Sequence, residues 1–366
     1  MVRQGSAETP ETPETPETPE TPETPEEQAP GEPVKAVSLL SGGLDSILAT
    51  RIVQDQGVDV LAVHFITPFF GDDKRGREAE VEALYRERYG IRVRIVDVSD
   101  EFLEVVGNPR YGYGKNFNPC IDCKIFLVRK ALEIMKAEGA RFLITGEVLG
   151  QRPMSQRRDA MNAVARQSGA RDLILRPLCA RLLPVTAPER HGWVDRSKLL
   201  GLRGRSRKPQ MELAERLGIG DYPTPAGGCY LTDPTLADRV RRYFESTPPE
   251  ERSADDLRLL LHGRPFRLPG GSLLTMGRNQ GENRALQRLF RPGDRYLKVV
   301  GVPGPLGLLR LRSDRDLPLA ASALLRYCPK AGEGTPVGVF TDLEAPPDQE
   351  IHAPRAGDED LAPWRF

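Results

Sequence analysis

The chain has 366 residues, enough for about two or three domains rather than one core. Its 52 Lys and Arg balance 52 Asp and Glu, which excludes a global basic field, so nucleic acid would have to be met by a local patch. No apolar run approaches the roughly 20 residues that cross a bilayer, residues 1–32 lack the apolar core of a secretory signal, and five cysteines are too few for a disulfide scaffold, so a cytoplasmic protein is expected.

Residues 8–26 repeat Thr-Pro-Glu. Such an acidic, proline-rich tract cannot bury enough apolar surface to order itself, and 1–33 is expected to be a disordered tail. A short apolar strand at 34–40 runs into a Gly-rich turn. Residues 44–56 have helical spacing, with Leu44, Ile47, Leu48, Ile52 and Val53 on one side. A strand follows at 58–66, a charged amphipathic helix at 77–89 and a strand at 91–98. Then come a helix at 126–137, a strand at 141–145, a polar helix at 154–168 and a fifth strand at 172–175. Strands alternating with helices predict an α/β domain over 34–218, a doubly wound parallel sheet with its ligand at the carboxyl ends of the strands. Residues 219–265 read as a loop around Cys229 and a helical linker, with helices at 234–244 and 253–262. Strands at 266–274, 295–302 and 307–311 predict a smaller C-terminal α+β domain over 266–341. Residues 342–366, acidic and proline-rich, are expected to be a loose tail.

Ser41-Gly42-Gly43-Leu44-Asp45-Ser46 lies between the first strand and the first helix. The glycines let backbone approach a ligand closely, the open N–H groups of a helix start favour phosphate, and Ser41 and Ser46 add hydroxyls. Asp45 would repel phosphate unless a cation stands between them, and Mg²⁺ is the natural choice.

Cys120-Ile121-Asp122-Cys123 precedes a helix, where thiol pKa values fall. Cys229 closes the turn Pro225-Ala226-Gly227-Gly228-Cys229, which could fold back onto the sheet edge. Three thiolates on a 4Fe-4S cluster would leave one iron open for an incoming sulfur. The alternatives are a persulfide relay resolved by Cys229, a zinc site that lacks a nearby His, and structural thiols. Cys179 lies near the ligand edge, and Cys328 has no assigned role.

The six-residue string resembles the Ser-Gly-Gly-x-Asp-Ser signature of the PP-loop ATP pyrophosphatases and matches it at every fixed position. Thr145-Gly146-Glu147-Val148-Leu149-Gly150-Gln151, Ser155-Gln156 and Arg176-Pro177-Leu178 together resemble the tRNA 4-thiouridine synthases, and Arg152-Pro153 is an insertion relative to them. The cysteine pattern is similar to that of iron–sulfur-dependent tRNA thiolation enzymes. The resemblance, over roughly 34–233, implies ATP binding by Ser41, Gly42, Gly43, Asp45, Ser46, His64, Gly146 and Gln151. It implies catalysis with Asp45, Cys120, Cys123 and Lys124, and cluster ligation by Cys120, Cys123 and Cys229. A uridine oxygen is adenylated, pyrophosphate leaves, and sulfur from sulfide or a persulfide carrier displaces AMP. Lys124 or Arg152 would stabilise charge on the phosphate. Those synthases carry an RNA-binding module ahead of the loop domain, where this chain has only its Thr-Pro-Glu tract. Contacts to tRNA are therefore expected from the basic stretch 152–208, at Arg152, Arg203, Arg205, Arg207 and Lys208. A second candidate is Gly277-Arg278-Asn279-x-x-Glu282-Asn283, which resembles a small domain of RNA-binding, ribosome-associated proteins. The rivals are a PP-loop ligase forming a C–N bond, with zinc or inert cysteines, and a non-enzymatic RNA-binding or sulfur-carrier protein.

Overall fold

The apolar run expected at 34–40 becomes β1 (Lys35–Leu39), the middle of a five-stranded sheet. The structure, a computed structural model, describes residues 33–222 and 228–366. The Thr-Pro-Glu tract and residues 223–227, which include Pro225, Ala226 and Gly227 of the expected cysteine turn, lie outside the described residues. After β1 come α1 (Leu44–Gln54), β2 (Asp59–Ile66), α2 (Glu78–Tyr89), β3 (Arg92–Asp97), α3 (Ser99–Gly107) and α4 (Cys120–Ala137). β4 (Phe142–Thr145), α5 (Arg158–Gln167), β5 (Ile174–Leu175), α6 (Ala187–Arg190) and α7 (Lys208–Arg216) complete this half. The strand order is β3-β2-β1-β4-β5, all parallel. Helices cover both faces. One face packs Leu44, Leu48, Val60, Tyr85 and Phe142, and the other packs Val37, Leu61, Val63, Val128 and Leu143. Burial on both sides is why β2 reads as an unbroken apolar run rather than an alternating one.

The sequence reading placed α4 six residues late, starting it at 126, and passed over α3 and α7. Pro119 sits at the N-cap of α4, a position where its missing N–H costs nothing, so the helix begins at the first thiol. α5 begins at Arg158 because 152–157 is occupied by turns.

The chain continues through α8 (Pro234–Ser246) and α9 (Ala254–Leu260) into β6 (Arg264–Arg267), β7 (Leu273–Met276), α10 (Gln280–Arg288), β8 (Arg295–Val299) and β9 (Gly307–Arg310). α11 (Asp316–Arg326), β10 (Val337–Phe340), β11 (Gln349–Ile351) and α12 (Asp358–Leu361) follow. The six strands form an antiparallel sheet of order β11-β10-β8-β9-β7-β6. The single strand expected at 266–274 is a hairpin. Gly271 takes φ +88°, and the Asp316 carboxylate accepts from the N–H groups of Gly270 and Ser272. The loose tail expected over 342–366 is corrected as well. β11 pairs with β10, and buried Leu361 packs under the sheet.

The two sheets share an apolar cluster that includes Phe69, Phe102, Tyr243, Phe244, Leu257 and Leu273. Beside it, Arg258 of α9 is only 3% exposed and donates to Asp72 (2.7 Å), Asp255 (2.7 Å) and Ser99 (2.8 Å). No helix among the described residues is long and apolar enough to cross a membrane.

Candidate nucleotide and sulfur site

The strand order reverses between β1 and β4, so their carboxyl ends open a crevice. Residues 41–46 fill one side of it. Gly42 takes φ +82°, and a Cβ there would lie 3.1 Å from the Tyr85 hydroxyl. Gly43 caps α1 without a side-chain hydrogen bond, which leaves the first-turn N–H groups free of a side-chain cap. The Ser46 hydroxyl donates to the Gly43 carbonyl (2.7 Å), and Ser41 Oγ donates to it in turn (3.3 Å).

Asp45 Oδ2 accepts from Gln151 Nε2 at 2.6 Å and from Arg207 Nη2 at 3.4 Å. Its other oxygen, Oδ1, is buried without a partner. A bare carboxylate oxygen beside an open helix N-terminus suits a divalent cation shared with phosphate. His64 is 4% exposed, and neither ring nitrogen has a hydrogen-bond partner. Burial, helped by Lys74, pushes its pKa down to about 4, so the ring is neutral. Its Cε1 lies 3.6 Å from where a Gly42 Cβ would be, behind the phosphate loop.

Gly146 and Gln151 both stand against the phosphate loop. A Cβ on Gly146 would come within 2.6 Å of the Ser46 nitrogen and 2.7 Å of the Asp45 carbonyl, so the missing side chain lets β4 press against the loop. Gln151 orients Asp45 and accepts from Gln210 of α7 at 2.9 Å. Glu147 is buried between Arg176 Nε (2.9 Å), Thr145 Oγ1 (3.1 Å) and Lys124 Nζ (3.9 Å). Burial alone would raise its pKa, but Arg176 and Lys124 outweigh that and hold the carboxyl below its usual range. Lys124 is thus aimed by a buried carboxylate and keeps about a third of its surface exposed.

Arg152, Arg203, Arg205 and Lys208 are exposed, as expected of RNA contacts. Arg207 is not, because its guanidinium turns inward to Asp45. Gly204 N–H donates to the Leu149 carbonyl (2.8 Å) and pins this basic segment to the loop after β4. No sequence signal separated Arg207 from its basic neighbours, since only the fold shows which way it faces.

The three thiols lie close enough to influence one another electrostatically. Cys120 and Cys123 start α4, and Asn118 Nδ2 contacts Cys120 Sγ (3.1 Å) and Met154 Sδ (3.9 Å). Cys229 is brought in by two ties, Tyr230 N–H to the Phe69 carbonyl (3.0 Å) and Asn116 Nδ2 to the Thr232 carbonyl (2.7 Å). Cys123 and Cys229 pack on the same apolar cluster. Burial pushes the Cys229 thiol up to about 12, with Cys120 adding to it, and burial together with Cys229 raises Cys123. Cys123 and Cys229 on the apolar cluster, with Cys120 close enough to interact with both, are a donor set that would suit an iron–sulfur cluster, whose protein ligands stand on separate irons. Among the described residues no three His, Cys, Asp or Glu side chains are placed to hold a single metal ion. Cys179 bonds the Glu147 carbonyl (3.1 Å), and Cys328 is buried in the second sheet's core.

Residues 31–181 match the family model described as Thiamine biosynthesis protein (ThiI), and residues 263–365 match the NFACT protein RNA binding domain. The second match spans the Gly277–Asn283 segment picked out from the sequence. Among curated proteins, a probable tRNA sulfurtransferase of Thermococcus kodakarensis is 30% identical over 50% of this chain and 45% of its own length. A tRNA-specific 2-thiouridylase MnmA of Nitratidesulfovibrio vulgaris is 29% identical over 69% of this chain and 66% of its own. The chain thus spans less than two thirds of the length of either. A solved 4-thiouridine synthetase–RNA complex with bound ATP aligns over 62% of this chain and 52% of its own, at 22% identity and a TM-score of 0.35. The family match over 31–181 thus covers the parallel sheet together with the complete Ser-Gly-Gly-x-Asp-Ser string that the sheet presents.

Proposed function

We propose that the chain is an ATP-dependent tRNA sulfurtransferase. The observation that carries this reading is the loop after β4. Gln151 touches the phosphate loop at Asp45, and Met154, three residues on, touches the thiol segment at Asn118. One short loop therefore borders both places that adenylation and sulfur delivery require.

The first turn of α1 would hold the β- and γ-phosphates of ATP through backbone N–H groups and the Ser41 and Ser46 hydroxyls. Asp45 Oδ1 would take Mg²⁺, which neutralises charge between carboxylate and phosphate. Neutral His64 lies behind the loop without adding charge. The uridine carbonyl oxygen attacks the α-phosphorus, the new O–P bond forms, and the bond to pyrophosphate breaks. Lys124 or the exposed Arg152 would stabilise charge gathering on the phosphate. Hydrosulfide then adds to the activated carbon, AMP leaves with the former carbonyl oxygen, a proton is lost and a thiocarbonyl remains. A persulfide carrier supplies that sulfur only when a second thiol attacks it, releasing hydrosulfide and leaving a disulfide. Cys120, Cys123 and Cys229 would hold a 4Fe-4S cluster, which supplies an iron free of protein ligands for the incoming sulfur. Burial raises the Cys123 and Cys229 thiols, so metal loading at these two would release protons. Exposed Arg203, Arg205 and Lys208, with the RNA-binding-domain half, would hold the tRNA.

The test is nucleoside mass spectrometry of unmodified tRNA incubated anaerobically with the reconstituted chain, ATP, Mg²⁺ and sulfide. A thiolated uridine and one pyrophosphate per product are expected. Asp45→Asn is expected to lower turnover by at least about a hundredfold. Turnover of Asp45→Asn at the parent rate, or pyrophosphate release with no thiolated nucleoside, overturns the reading.

A further inference from the structure

A cleft of about 600 Å³ opens beside the thiols, between the segment 107–117 and α8. Its walls are continuations of the two cysteine-bearing segments. Asn116 lines it two residues before Asn118, which touches Cys120, and Pro234 lines it five residues after Cys229. At its mouth Tyr113 stacks on Phe117, with ring centres 4.2 Å apart and planes 17° from parallel, and Phe117 leans on Phe244 at 5.8 Å. The Tyr113 hydroxyl donates to the Val106 carbonyl (2.7 Å), which fixes the ring in place. One face of Tyr113 is covered by Phe117, and the residue remains 38% exposed.

The charges in the cleft are unequally matched. Asp238 and Glu245 are both taken by Arg241. Arg252 lies over the Phe244 ring and donates to the carbonyls of Thr247 and Phe244. Lys115 lines the same cleft, and its ammonium has no partner among the described residues. A rigid aromatic face beside an unpaired cation suits a group with a flat ring and one phosphate. Base–aromatic stacking is how single strands are held without sequence preference.

We propose that this cleft receives one unstacked nucleotide of single-stranded RNA, its base on the outer face of Tyr113 and its phosphate beside Lys115. The inference rests on the thiolation reading only for the identity of the neighbouring base, which would be the uridine to be modified. A target turned out of its stack exposes the adjoining nucleotide, and the cleft takes that neighbour and so sets the distance from RNA backbone to sulfur.

Fluorescence anisotropy of the full chain, with a labelled oligouridylate of about a dozen nucleotides and a paired RNA of the same length, tests it. Tyr113→Ala and Lys115→Ala should each weaken oligouridylate binding roughly five- to tenfold. Tyr113→Phe should bind like the parent, and duplex binding should be unchanged throughout. Lys115→Ala alters only a surface side chain, so its result stands even if Tyr113→Ala loosens the fold. Parent-like oligouridylate binding by both alanine variants overturns the proposal, and so does an equal loss for duplex and single strand. If the parent makes no thiolated nucleoside but shows the expected binding pattern, the thiolation reading fails and the cleft stands. If thiolation proceeds while the variants bind like the parent, the cleft alone fails.

Discussion

A methyl group at Gly146 has no room. Its Cβ would meet the backbone of Asp45 and Ser46 at 2.6–2.7 Å, and backbone at the start of a buried helix cannot swing aside. Gly146→Ala is expected to destabilise the chain by about 1–3 kcal/mol, as overpacking does, and to weaken ATP binding because the loop itself must shift. Urea midpoints and calorimetric titration with ATP check the two parts. His64 gives a pH signature. Its folded pKa of about 4 lies below the usual value near 6.5. Above pH ~6.5 the ring is neutral in both states, and its stabilising contribution is complete. As pH falls from there toward 4, the unfolded chain takes up a proton that the folded chain refuses, and about 2 kcal/mol is lost by pH 5. His64→Gln should flatten that part of the profile, and a parent-like slope in urea melts at pH 7 and pH 5 would refute it. Asp45 was legible in the sequence because its carboxylate is out of place in a phosphate-binding string. The inward turn of Arg207 was not, because every arginine in 203–208 has the same local pattern.

The start of α4 shows what a helix boundary is worth. Reading its first turn as loop still found the cysteines, but only the observed start at Cys120 puts both thiols on the first turn. Cys229 joins them through contacts made by its neighbours Tyr230 and Thr232, which no spacing rule encodes. After anaerobic reconstitution with iron and sulfide, Cys120→Ser, Cys123→Ser and Cys229→Ser should each lose most bound iron and the visible absorption. Cys179→Ser and Cys328→Ser should keep both, and iron and acid-labile sulfide counts decide. The Gly277–Asn283 segment was legible for a local reason. Asn279 caps α10 by accepting from Glu282 N–H (2.9 Å), and Glu282 pairs with Arg278, so the motif is a helix start. The hairpin at 264–276 was missed because apolar residues flank its turn on both sides and hide the Pro-Gly-Gly break.

The parallel sheet was readable from alternating strands and helices. The way the second sheet is fastened to the first was not, because the fastening depends on charges distant in sequence. Arg258 holds Asp72, Asp97 and Asp255 at the seam, and Arg75 and Arg291 also reach Asp255. Arg258→Met should cost about 3 kcal/mol, the low end for a broken buried pair because Asp72 and Asp97 keep some water. Unfolding should then separate into two steps. Trp193 packs in the first half and Trp364 in the second, so single-tryptophan variants report each step by fluorescence. The loop carrying Gln151 and Met154 has a consequence of its own. Since that loop touches both proposed sites, any coupling between their ligands must be mutual by thermodynamic linkage. Whatever factor ATP imposes on the affinity for iron, iron must impose on the affinity for ATP, so a titration of either one measures both.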